Sequence, residues 1–295
     1  MSTQPSFFQR VIRKVKKTVL SWFFIDQWVI LTAQDLSMDS LAWSAFKPLT
    51  PPSDRYWADP FVLAKDDRYF VFIEEKMYLT GLGRIVYLEL DIHGNLLSNQ
   101  TVLEHPYHIS YPFLFEYQDQ LYMLPETAQN RTLDIYRCIH FPDKWEFEKT
   151  IMQDVYAVDA TLFEHDGKWW LFANIKQKDH SSSLDQLFLF WASNPLSQNW
   201  TPHPLNPVVN DIRTARPAGH VFSQNGRLIR PSQDCSVRYG YALNFNQITK
   251  FSETEYEEVC DARFEPLHGT KTLATHTYNT AGAMTVIDAV VRRRK

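Results

Sequence analysis

Cysteine is scarce in this chain. Only three cysteines occur in 295 residues, and Cys138, Cys235 and Cys260 are far apart in the sequence. Because no CxxC pair and no His/Cys cluster is present, the spacing predicts three reduced thiols, not a zinc site or a disulfide framework. The sequence also lacks a dinucleotide-binding fingerprint, a P-loop, an HExxH motif and a GxSxG elbow, which removes the commonest rival chemistries. We therefore predict no cofactor and no metal.

Long apolar runs and a strong charge of either sign are missing too. The net charge of −4 is small and of the wrong sign for a nucleic-acid-binding protein, so no nucleic-acid partner is expected. No apolar run approaches the length of a membrane span, and no small-residue cleavage site follows an apolar core. We therefore expect no secretory signal and a cytoplasmic protein.

Aromatic side chains, by contrast, are abundant. Phe, Trp and Tyr make up 15% of the residues, and hydrophobic residues make up 44%. This balance supports a packed core and argues against general disorder. The length of the chain fits one large all-β domain better than two domains of ordinary size.

The N-terminal stretch has a pattern of its own. In residues 7–24, FFQRVIRKVKKTVLSWFF, apolar side chains recur at helical spacing, and five Lys and Arg residues fall mostly on the other faces. The pattern predicts a basic amphipathic helix over residues 1–25. Two arrangements stay open: the helix lies on an anionic membrane surface, which would make the protein peripheral at the inner face of the membrane, or it packs on the outside of the domain.

Four stretches of the remaining chain are similar to one another. Each has a polar or small opening, an apolar run, a turn rich in Asp, Asn, Gln or Gly, a second apolar run and a polar end. They begin WADPF at Trp57, SYPFLF at Ser110, VDATLF at Val158 and ARPAGHVF at Ala215. Aligned on Pro60, Pro112, Thr161 and Pro217, they are 52, 49 and 56 residues apart, which is about one four-stranded propeller blade each.

A fifth blade would close the ring. The stretch from Gly269 supplies strands in GTKTLATHTYN and AMTVIDAVV, and DQWVILTAQD from Asp26 supplies an N-terminal strand. Closure removes exposed sheet edges, which otherwise invite aggregation. We predict an all-β protein, a single five-bladed β-propeller over residues 26–295. An open sandwich with coincidental repeats is the alternative.

The repeat also predicts a site. The innermost strand of each blade lines the central channel and the next strand returns antiparallel, so the start of the first and the end of the second meet at one mouth. Three carboxyl groups at these positions are the predicted catalytic residues: Asp59, Glu126 and Asp159. The predicted substrate-binding residues are Trp57, Glu75, Tyr111, Asn174, Arg216, His220, Arg230, Gln233, Asp234, His276, Tyr278 and Asn279.

These residue types suit sugar chemistry. Carboxylates that converge in one cleft repel one another, so at least one should have a raised pKa and act as a general acid, while another stays ionised as a base. Trp57, Tyr111 and Tyr278 can stack on sugar faces, and Arg216 and His276 can neutralise the cluster or bind a phosphate. This is the chemistry of glycosidic-bond cleavage or transfer. A Ca²⁺ ion in the acidic channel stays open as an alternative.

Structural roles compete with several of these assignments. Asp59 can simply cap a turn at strand entry, and Glu74 and Glu75 can be solvated strand ends. Arg216 and Arg230 each precede a proline in an apolar context, where an unpaired guanidinium would be costly. Pairing with acidic residues of the cluster therefore competes with ligand binding. For His220, a satisfied core histidine is the preferred interpretation.

Seven motifs, taken in order, resemble one known family. They are WADPF, SYPFLFE, LPET, DAT, ARPAG, RPSQDC and HTYN, within a stretch from about Trp57 to Asp288. Together they resemble the N-terminal domain of plant glucosamine inositolphosphorylceramide transferases and its stand-alone bacterial relatives. The resemblance implies a propeller fold and a sugar-related context, since the plant proteins carry their recognised transferase activity in a different, C-terminal domain.

A more distant resemblance is to the five-bladed propellers of glycoside hydrolase family 43. Asp59 and Asp159 open their repeats as the catalytic base and a pKa-tuning Asp do in that family. The chain order differs, because the acid Glu of that family follows the second Asp, whereas Glu126 lies between Asp59 and Asp159.

Three functions remain in competition. The first is an enzyme that forms or remodels a glycosidic bond in cell-surface polysaccharide or glycolipid biosynthesis. It would act on a sugar, sugar nucleotide or glycolipid, with Asp59 as base and with Arg216 and Arg230 holding a donor phosphate. The second is a glycoside hydrolase with Asp59 as base and Glu126 as acid. The third is a non-catalytic glycan-binding or scaffold module of a polysaccharide synthesis complex.

Overall fold

The computed structural model of the protein describes residues 24–177 and 182–294. Its strands alternate with short turns, and three 3-10 turns complete the regular structure: Met38–Ser40, Trp43–Ala45 and Ala128–Asn130. No helix in the described part of the chain is long and apolar enough to span a bilayer. The predicted N-terminal helix falls on residues 1–23, outside the described residues, and its last two predicted residues, Phe24 and Ile25, belong instead to the first strand.

The strands form five separate antiparallel sheets, one for each blade, and within a blade they follow one another from the channel outward. Blade 1 contains Arg55–Lys65, Arg68–Met77, Gly83–Leu90 and Leu96–Leu103. Blade 2 contains Ser110–Tyr117, Gln120–Glu126, Thr132–His140 and Lys144–Gln153. Blade 3 contains Ala157–His165, Lys168–Ile175 and Gln186–Ala192, with the short outer pieces Thr201–Pro202 and Val209–Asn210.

The last two blades have inner strands that are interrupted. Blade 4 contains the inner pieces Arg216–Pro217 and Phe222–Gln224, followed by Arg227–Asp234, Ala242–Phe251 and Tyr256–Phe264. Blade 5 contains the inner pieces Thr272–Ala274 and Tyr278–Ala281, followed by Met284–Arg294, Phe24–Gln34 and Lys47–Leu49. The predicted five-bladed propeller is confirmed.

Blade 5 closes the ring with strands from both ends of the chain. Phe24–Gln34 pairs antiparallel with Met284–Arg294 along its whole length, from Phe24 opposite Arg294 to Gln34 opposite Met284. The closure that DQWVILTAQD predicts is therefore present, and both strands are paired on each side.

Tight turns join the two inner strands of blades 1 to 4. The turns Asp66–Asp67, Gln118–Asp119, Asp166–Gly167 and Asn225–Gly226 each place two residues between paired strand ends, and all eight residues have positive φ. Asn, Asp and Gly tolerate this conformation best, and its twist matches that of the flanking strands. The local sequence therefore sets the register of the channel-lining hairpins.

The apolar core lies between neighbouring blades. Phe61 of blade 1 packs in one cluster with Phe113 of blade 2, and Phe172 of blade 3 packs in another with Tyr256 of blade 4. The channel itself is closed below the mouth, because the Tyr111 hydroxyl accepts the Gly219 N–H across it at 2.8 Å. Above this contact a cup opens at one face, and a more apolar cavity of about 290 Å³, lined by Leu63, Phe115 and Val221 among others, lies toward the opposite face.

Candidate functional site

Blades 1, 2 and 3 share a backbone irregularity where the inner strand enters the channel. Asp59, Tyr111 and Asp159 have φ values of 53°, 44° and 50°, and the pairing of the two inner strands skips a residue at each point. A left-handed conformation is uncommon outside glycine and typically costs about 1–3 kcal/mol. Three such positions in equivalent places mark the channel entry as a specialised segment of the fold.

Carboxylates of neighbouring blades hold these three residues in place. The N–H of Asp59 donates to Asp288 Oδ2 at 3.0 Å, and the N–H of Tyr111 donates to Asp59 Oδ2 at 3.1 Å. The N–H of Asp159 donates to Glu126 Oε2 at 3.3 Å. These bonds link blades 5, 1, 2 and 3 in turn, and two of the acceptors, Asp59 and Glu126, also line the mouth.

The cup at the mouth encloses about 230 Å³, which is below the roughly 300–1,000 Å³ of sites for drug-sized ligands and suits one sugar ring. Blades 1, 2, 4 and 5 contribute to its wall, and blade 3 reaches it only through Asp159 behind Arg216. The lining residues are Trp28, Tyr56, Ala58, Asp59, Glu74, Lys76, His108, Ser110, Glu126, Arg216, Tyr239 and His276.

Three carboxyl groups in this wall have raised pKa values. Burial raises the pKa of Asp59 to about 6, with His276 opposing the rise. Burial and then the charge of Asp59 raise the pKa of Glu74 to about 8. Burial and the neighbouring Asp159 raise the pKa of Glu126 well above its ordinary value. At neutral pH the cup therefore holds a largely ionised Asp59 and a largely protonated Glu74, and the raised pKa of Glu126 favours its protonated form.

Arg216 supplies a fixed cation beside these groups. Its Nε and Nη2 atoms donate to the two carboxylate oxygens of Asp159 at 2.5 and 3.2 Å, and Nη2 lies 3.9 Å from Glu126 Oε2. Gln233 Nε2 donates to the same Asp159 carboxylate at 2.7 Å, and the Tyr239 ring covers the guanidinium at 5.0 Å. Both carboxylate oxygens of Asp159 therefore already accept hydrogen bonds from Arg216 or Gln233, on the side away from the cup. Its role at the site is to orient Arg216.

His276 is the second buried cation. Burial opposes its charge, but its Nδ1 atom lies 2.6 Å from Asp288 Oδ2, and the net effect raises the pKa of His276 to about 9. Its ring stacks on Trp28 at 4.1 Å, and its Nε2 atom lies 3.6 Å from Asp59 Oδ1. Within the described residues, the potential ligand atoms of Asp59, His276 and Asp288 lie within 4.8 Å of one another. His276 and Asp288 already pair with each other. The expectation that no metal binds here stays a prediction.

The structure brings six of the predicted site residues together. Asp59, Glu126, Arg216 and His276 line the cup, and Asp159 with Gln233 lies directly behind Arg216. Tyr111 lies below the cup, where its hydroxyl bonds Thr161 at 2.9 Å and Gly219. It is a buried brace of the channel and does not line the cup.

Trp57 and Glu75 face away from the cup. Side chains alternate along a strand, so Glu74 points into the cup and Glu75 points to the other side. There the Trp57 indole donates to Glu75 Oε2 at 2.9 Å, and Arg84 pairs with Glu75 at 2.6 Å. These contacts lower the pKa of Glu75 despite its burial. The sequence favoured Glu75 as the site residue, but in the structure Glu74 lines the cup and Glu75 does not.

The other predicted binding residues also have structural partners. Arg230 pairs with Glu258 at 2.6 Å, and Asp234 pairs with Arg263 at 2.7 Å. His220 bonds the Leu114 carbonyl at 2.7 Å and the Asn279 side chain at 2.8 Å, as a satisfied core histidine does. The side-chain amide of Asn174 donates to the Ser183 carbonyl, and that of Asn279 donates to the Pro60 carbonyl. Tyr278 packs within the apolar core.

Several lining residues were missed by the sequence reasoning, because they lie outside the blade-opening and blade-closing positions that the repeat marks. These are Trp28, Tyr56, Lys76, His108, Ser110 and Tyr239, together with the supporting Asp288. Asp288 had a usable signal: it is a lone carboxylate inside the apolar run AMTVIDAVV, and such a group is rarely buried without a charged partner.

The sequence matches a known protein family over most of its length. Residues 42–280 match the family model described as glucosamine inositolphosphorylceramide transferase 1, N-terminal. The chain belongs to this family. The glucosamine inositolphosphorylceramide transferase 1 of rice, Oryza sativa subsp. japonica, is 34% identical over 232 residues, which cover 75% of this chain and 31% of that protein. The chain thus spans less than a third of that relative's length, and the family resemblance drawn from the seven motifs is confirmed.

Solved structures share the fold at low sequence identity. The catalytic domain of the GH62 α-L-arabinofuranosidase of Coprinopsis cinerea superimposes with a TM-score of 0.60 and 13% identity, covering 88% of this chain and 97% of that one. CoXyl43, a GH43 β-xylosidase/α-arabinofuranosidase from a compost microbial metagenome, superimposes with a TM-score of 0.54 and 10% identity, covering 82% of this chain and 92% of that one. The propeller architecture predicted from the family 43 resemblance is confirmed.

Proposed function

We propose that this protein is a carbohydrate-active enzyme that forms or remodels a glycosidic bond at the cup. One observation carries the proposal: the carboxylate of Asp59 shares a small enclosed site with Glu74, whose pKa is raised to about 8, and with Glu126, whose pKa is raised well above its ordinary value. Environments that push the pKa values of neighbouring carboxyl groups apart are what acid–base chemistry on a glycosidic bond requires.

The roles follow from the protonation states. Asp59 takes the proton of an acceptor hydroxyl as that oxygen bonds to the anomeric carbon of the donor sugar. The bond from the anomeric carbon to the leaving oxygen breaks, and Glu126 gives its proton to that oxygen. Arg216 beside Glu126 stabilises the carboxylate left behind. We place Glu74 as a second protonated acid, bonded by the Tyr56 hydroxyl at 3.1 Å.

Aromatic rings in the wall support a sugar as the substrate. Trp28, Tyr56 and Tyr239 surround the cup, and flat apolar rings beside polar groups suit the two faces of a sugar ring. Family membership supports a sugar-related context in the same way. Two buried arginines give less support to a donor-phosphate site, because Arg216 is engaged by Asp159 and Arg230 by Glu258.

Hydrolysis is the second candidate function. The structural neighbours are named as an arabinofuranosidase and a xylosidase, and in a hydrolase the same Asp59 and Glu126 would serve with water as the acceptor. A non-catalytic glycan-binding module is the third candidate, and the saturated ion pair of Asp159 with Arg216 is compatible with it.

Amide variants distinguish the three functions. The full-length protein, Asp59→Asn, Glu126→Gln and the control Glu116→Gln, an exposed carboxylate at the opposite end of a channel strand, are incubated with sugar nucleotides plus acceptors and with aryl glycosides. Transfer predicts product only with an acceptor, and hydrolysis predicts reducing sugar from the aryl glycosides. In both cases Asp59→Asn and Glu126→Gln should lower kcat by about 10²–10⁴-fold, while Glu116→Gln leaves it unchanged.

The contrary outcome is equally specific. If calorimetry shows that sugars bind the wild type and both amide variants with equal affinity, and no substrate is turned over, the enzyme proposal is wrong and the binding module stands. Circular dichroism of each variant confirms that the propeller is intact.

A further inference from the structure

The two faces of the propeller are formed by different sets of connections. The turns between strands 1 and 2 and between strands 3 and 4 of every blade lie on the face opposite the cup. The connections between strands 2 and 3, and from one blade to the next, lie on the cup face, because Glu74 and Glu126 at the ends of second strands line the cup. Exposed residues can therefore be assigned to a face from their place in the chain.

The face opposite the cup is acidic. Its turns carry ten carboxylates: Asp35, Asp39, Asp66, Asp67, Asp91, Asp119, Asp143, Asp166, Glu253 and Glu255. The same turns, all of which fall within the described residues, contain no Lys or Arg. The strand ends beside these turns add seven cations, and one of them, Lys168, pairs with Glu253: Lys47, Lys65, Arg68, Lys144, Lys168, Arg227 and Lys250. The turns themselves offer an anionic lipid surface no cation.

Arginines cluster on one arc of the cup face, and one of them, Arg292, pairs with Asp26 at 2.7 Å. Strand Met284–Arg294 ends there in three successive arginines, residues 292–294, and Arg292 N–H bonds the carbonyl of Lys271 at 2.9 Å. Phe24 lies opposite Arg294 in the register, so the basic stretch of residues 7–24 joins the domain at this same edge. Arg238, in the connection above the cup, adds a further exposed cation.

Exposed apolar side chains lie on the same face. Leu79 is 95% exposed, Val237 is 67% exposed and Leu267 is 57% exposed. They belong to the connections 78–82, 235–241 and 265–271, which come from blades 1 and 4 and from the link between blades 4 and 5. Since blade 5 closes onto blade 1, these connections and the arginine strand end form one arc, which we call the rim. Single exposed apolar residues are ordinary, but here they lie beside clustered cations.

We propose that the rim docks on an anionic lipid membrane and so presents the mouth of the cup to that surface. Cations attracted to acidic headgroups and apolar side chains inserted between them are the two signals that together give stable peripheral binding. Docking of the rim stands on these observations alone and does not depend on the proposed function.

Vesicle flotation tests the docking. Full-length protein is mixed with vesicles of phosphatidylcholine plus phosphatidylserine, or of phosphatidylcholine alone, and should float only with the first. Leu79→Asp should reduce the bound fraction about tenfold, and Arg293→Gln about fivefold. The matched control is Leu97→Asp, a leucine 51% exposed on the acidic face, which should bind as the wild type does.

Orientation needs a separate measurement, because the basic N-terminal stretch could attach the domain with any face toward the lipid. With the exposed thiol removed by Cys260→Ser, an environment-sensitive fluorophore is attached at Leu79→Cys or at Leu97→Cys. The proposal predicts a blue-shifted emission with phosphatidylserine vesicles at position 79 and none at position 97.

The outcomes separate the two proposals. A shift at position 97, or no shift at either position, overturns the docking of the rim whatever the activity results are. Flotation that survives Asp59→Asn while turnover is lost supports both proposals. Flotation and the shift at position 79 without any turnover would support docking and sink the enzyme proposal.

Discussion

Single buried side chains determine the charge state of the cup. Asp59, Glu74 and His276 each hold a proton in the folded protein at a pH where the unfolded chain has released it, because their pKa values are raised to about 6, 8 and 9. Their contribution to stability is fully present below the ordinary pKa and is lost as the pH rises through the folded value. All three act in the same direction.

Between about pH 6 and about pH 9 the free energy of unfolding should therefore fall, through Glu74 up to about pH 8 and through His276 up to about pH 9, whereas the Asp59 contribution is already lost by about pH 6. The slope should approach about 1.4 kcal/mol per pH unit for each proton released. Urea unfolding across this range measures it, and Glu74→Gln, which cannot titrate, should decline less steeply. A flat profile, or identical slopes for both proteins, would contradict the assigned pKa values.

Asp288 is the residue whose loss should cost most stability. Its fully buried carboxylate accepts the N–H groups of Asp59, His276 and Thr277 and pairs with the His276 ring. Asp288→Asn leaves the imidazolium unpaired and should destabilise the fold by about 3–5 kcal/mol. Asp26→Asn, which breaks the exposed pair with Arg292, is the control and should cost less than about 1 kcal/mol. Equal effects in urea unfolding would refute this role.

At the scale of the strand, the repeat predicted from sequence was sufficient to find the blades but not every side-chain direction. The hairpin turns and the anchors Pro60 and Pro112 set the register, because tight turns admit few conformations. The choice of Glu75 over Glu74 was wrong because the sequence does not show the kinks at Asp59 and its equivalents. These kinks change which side chains of the two inner strands face the channel. Such bulges depend on contacts between blades, which a single sequence does not display. Residues such as Tyr239, in a connection far from the anchors, were missed for the same reason.

The bracing of the channel strands gives a prediction at this scale. Tyr111→Phe removes the hydroxyl that accepts the buried Gly219 N–H and bonds Thr161, leaving that N–H unsatisfied. Unfolding in urea should show a loss of about 1–3 kcal/mol. Tyr117→Phe, on the same strand at the other end, should change stability little. If the two variants are equally stable, Tyr111 contributes to stability only through packing.

The whole molecule is a closed ring whose two chain ends share one blade. The circuit of contacts includes Asp59 to Asp288 between blades 1 and 5, and the N–H of Tyr278 to the carbonyl of Ala218 between blades 5 and 4. A ring of this kind should unfold as one unit, because opening any blade exposes the apolar faces of both neighbours.

Ile30, fully buried in the closing strand, tests this cooperativity. Ile30→Ala should cost about 2–5 kcal/mol, and tryptophan fluorescence and circular dichroism should report the same single transition. Ile92→Ala, half exposed in a turn of blade 1, should change stability by less than about 0.5 kcal/mol. Two separate transitions in the Ile30→Ala protein would show that blade 5 opens independently.

The acidic cup on the channel axis is the proposed sugar site. The most direct measurement is the affinity, by calorimetry, of the best ligand from a glycan and sugar-nucleotide array for the wild type, Tyr239→Ala and the control Tyr117→Ala. We predict that Tyr239→Ala, which strips the ring over Arg216 from the wall of the cup, weakens binding at least about tenfold while the control binds normally. Unchanged affinity in Tyr239→Ala, with the ligand bound elsewhere on the propeller, would contradict the account.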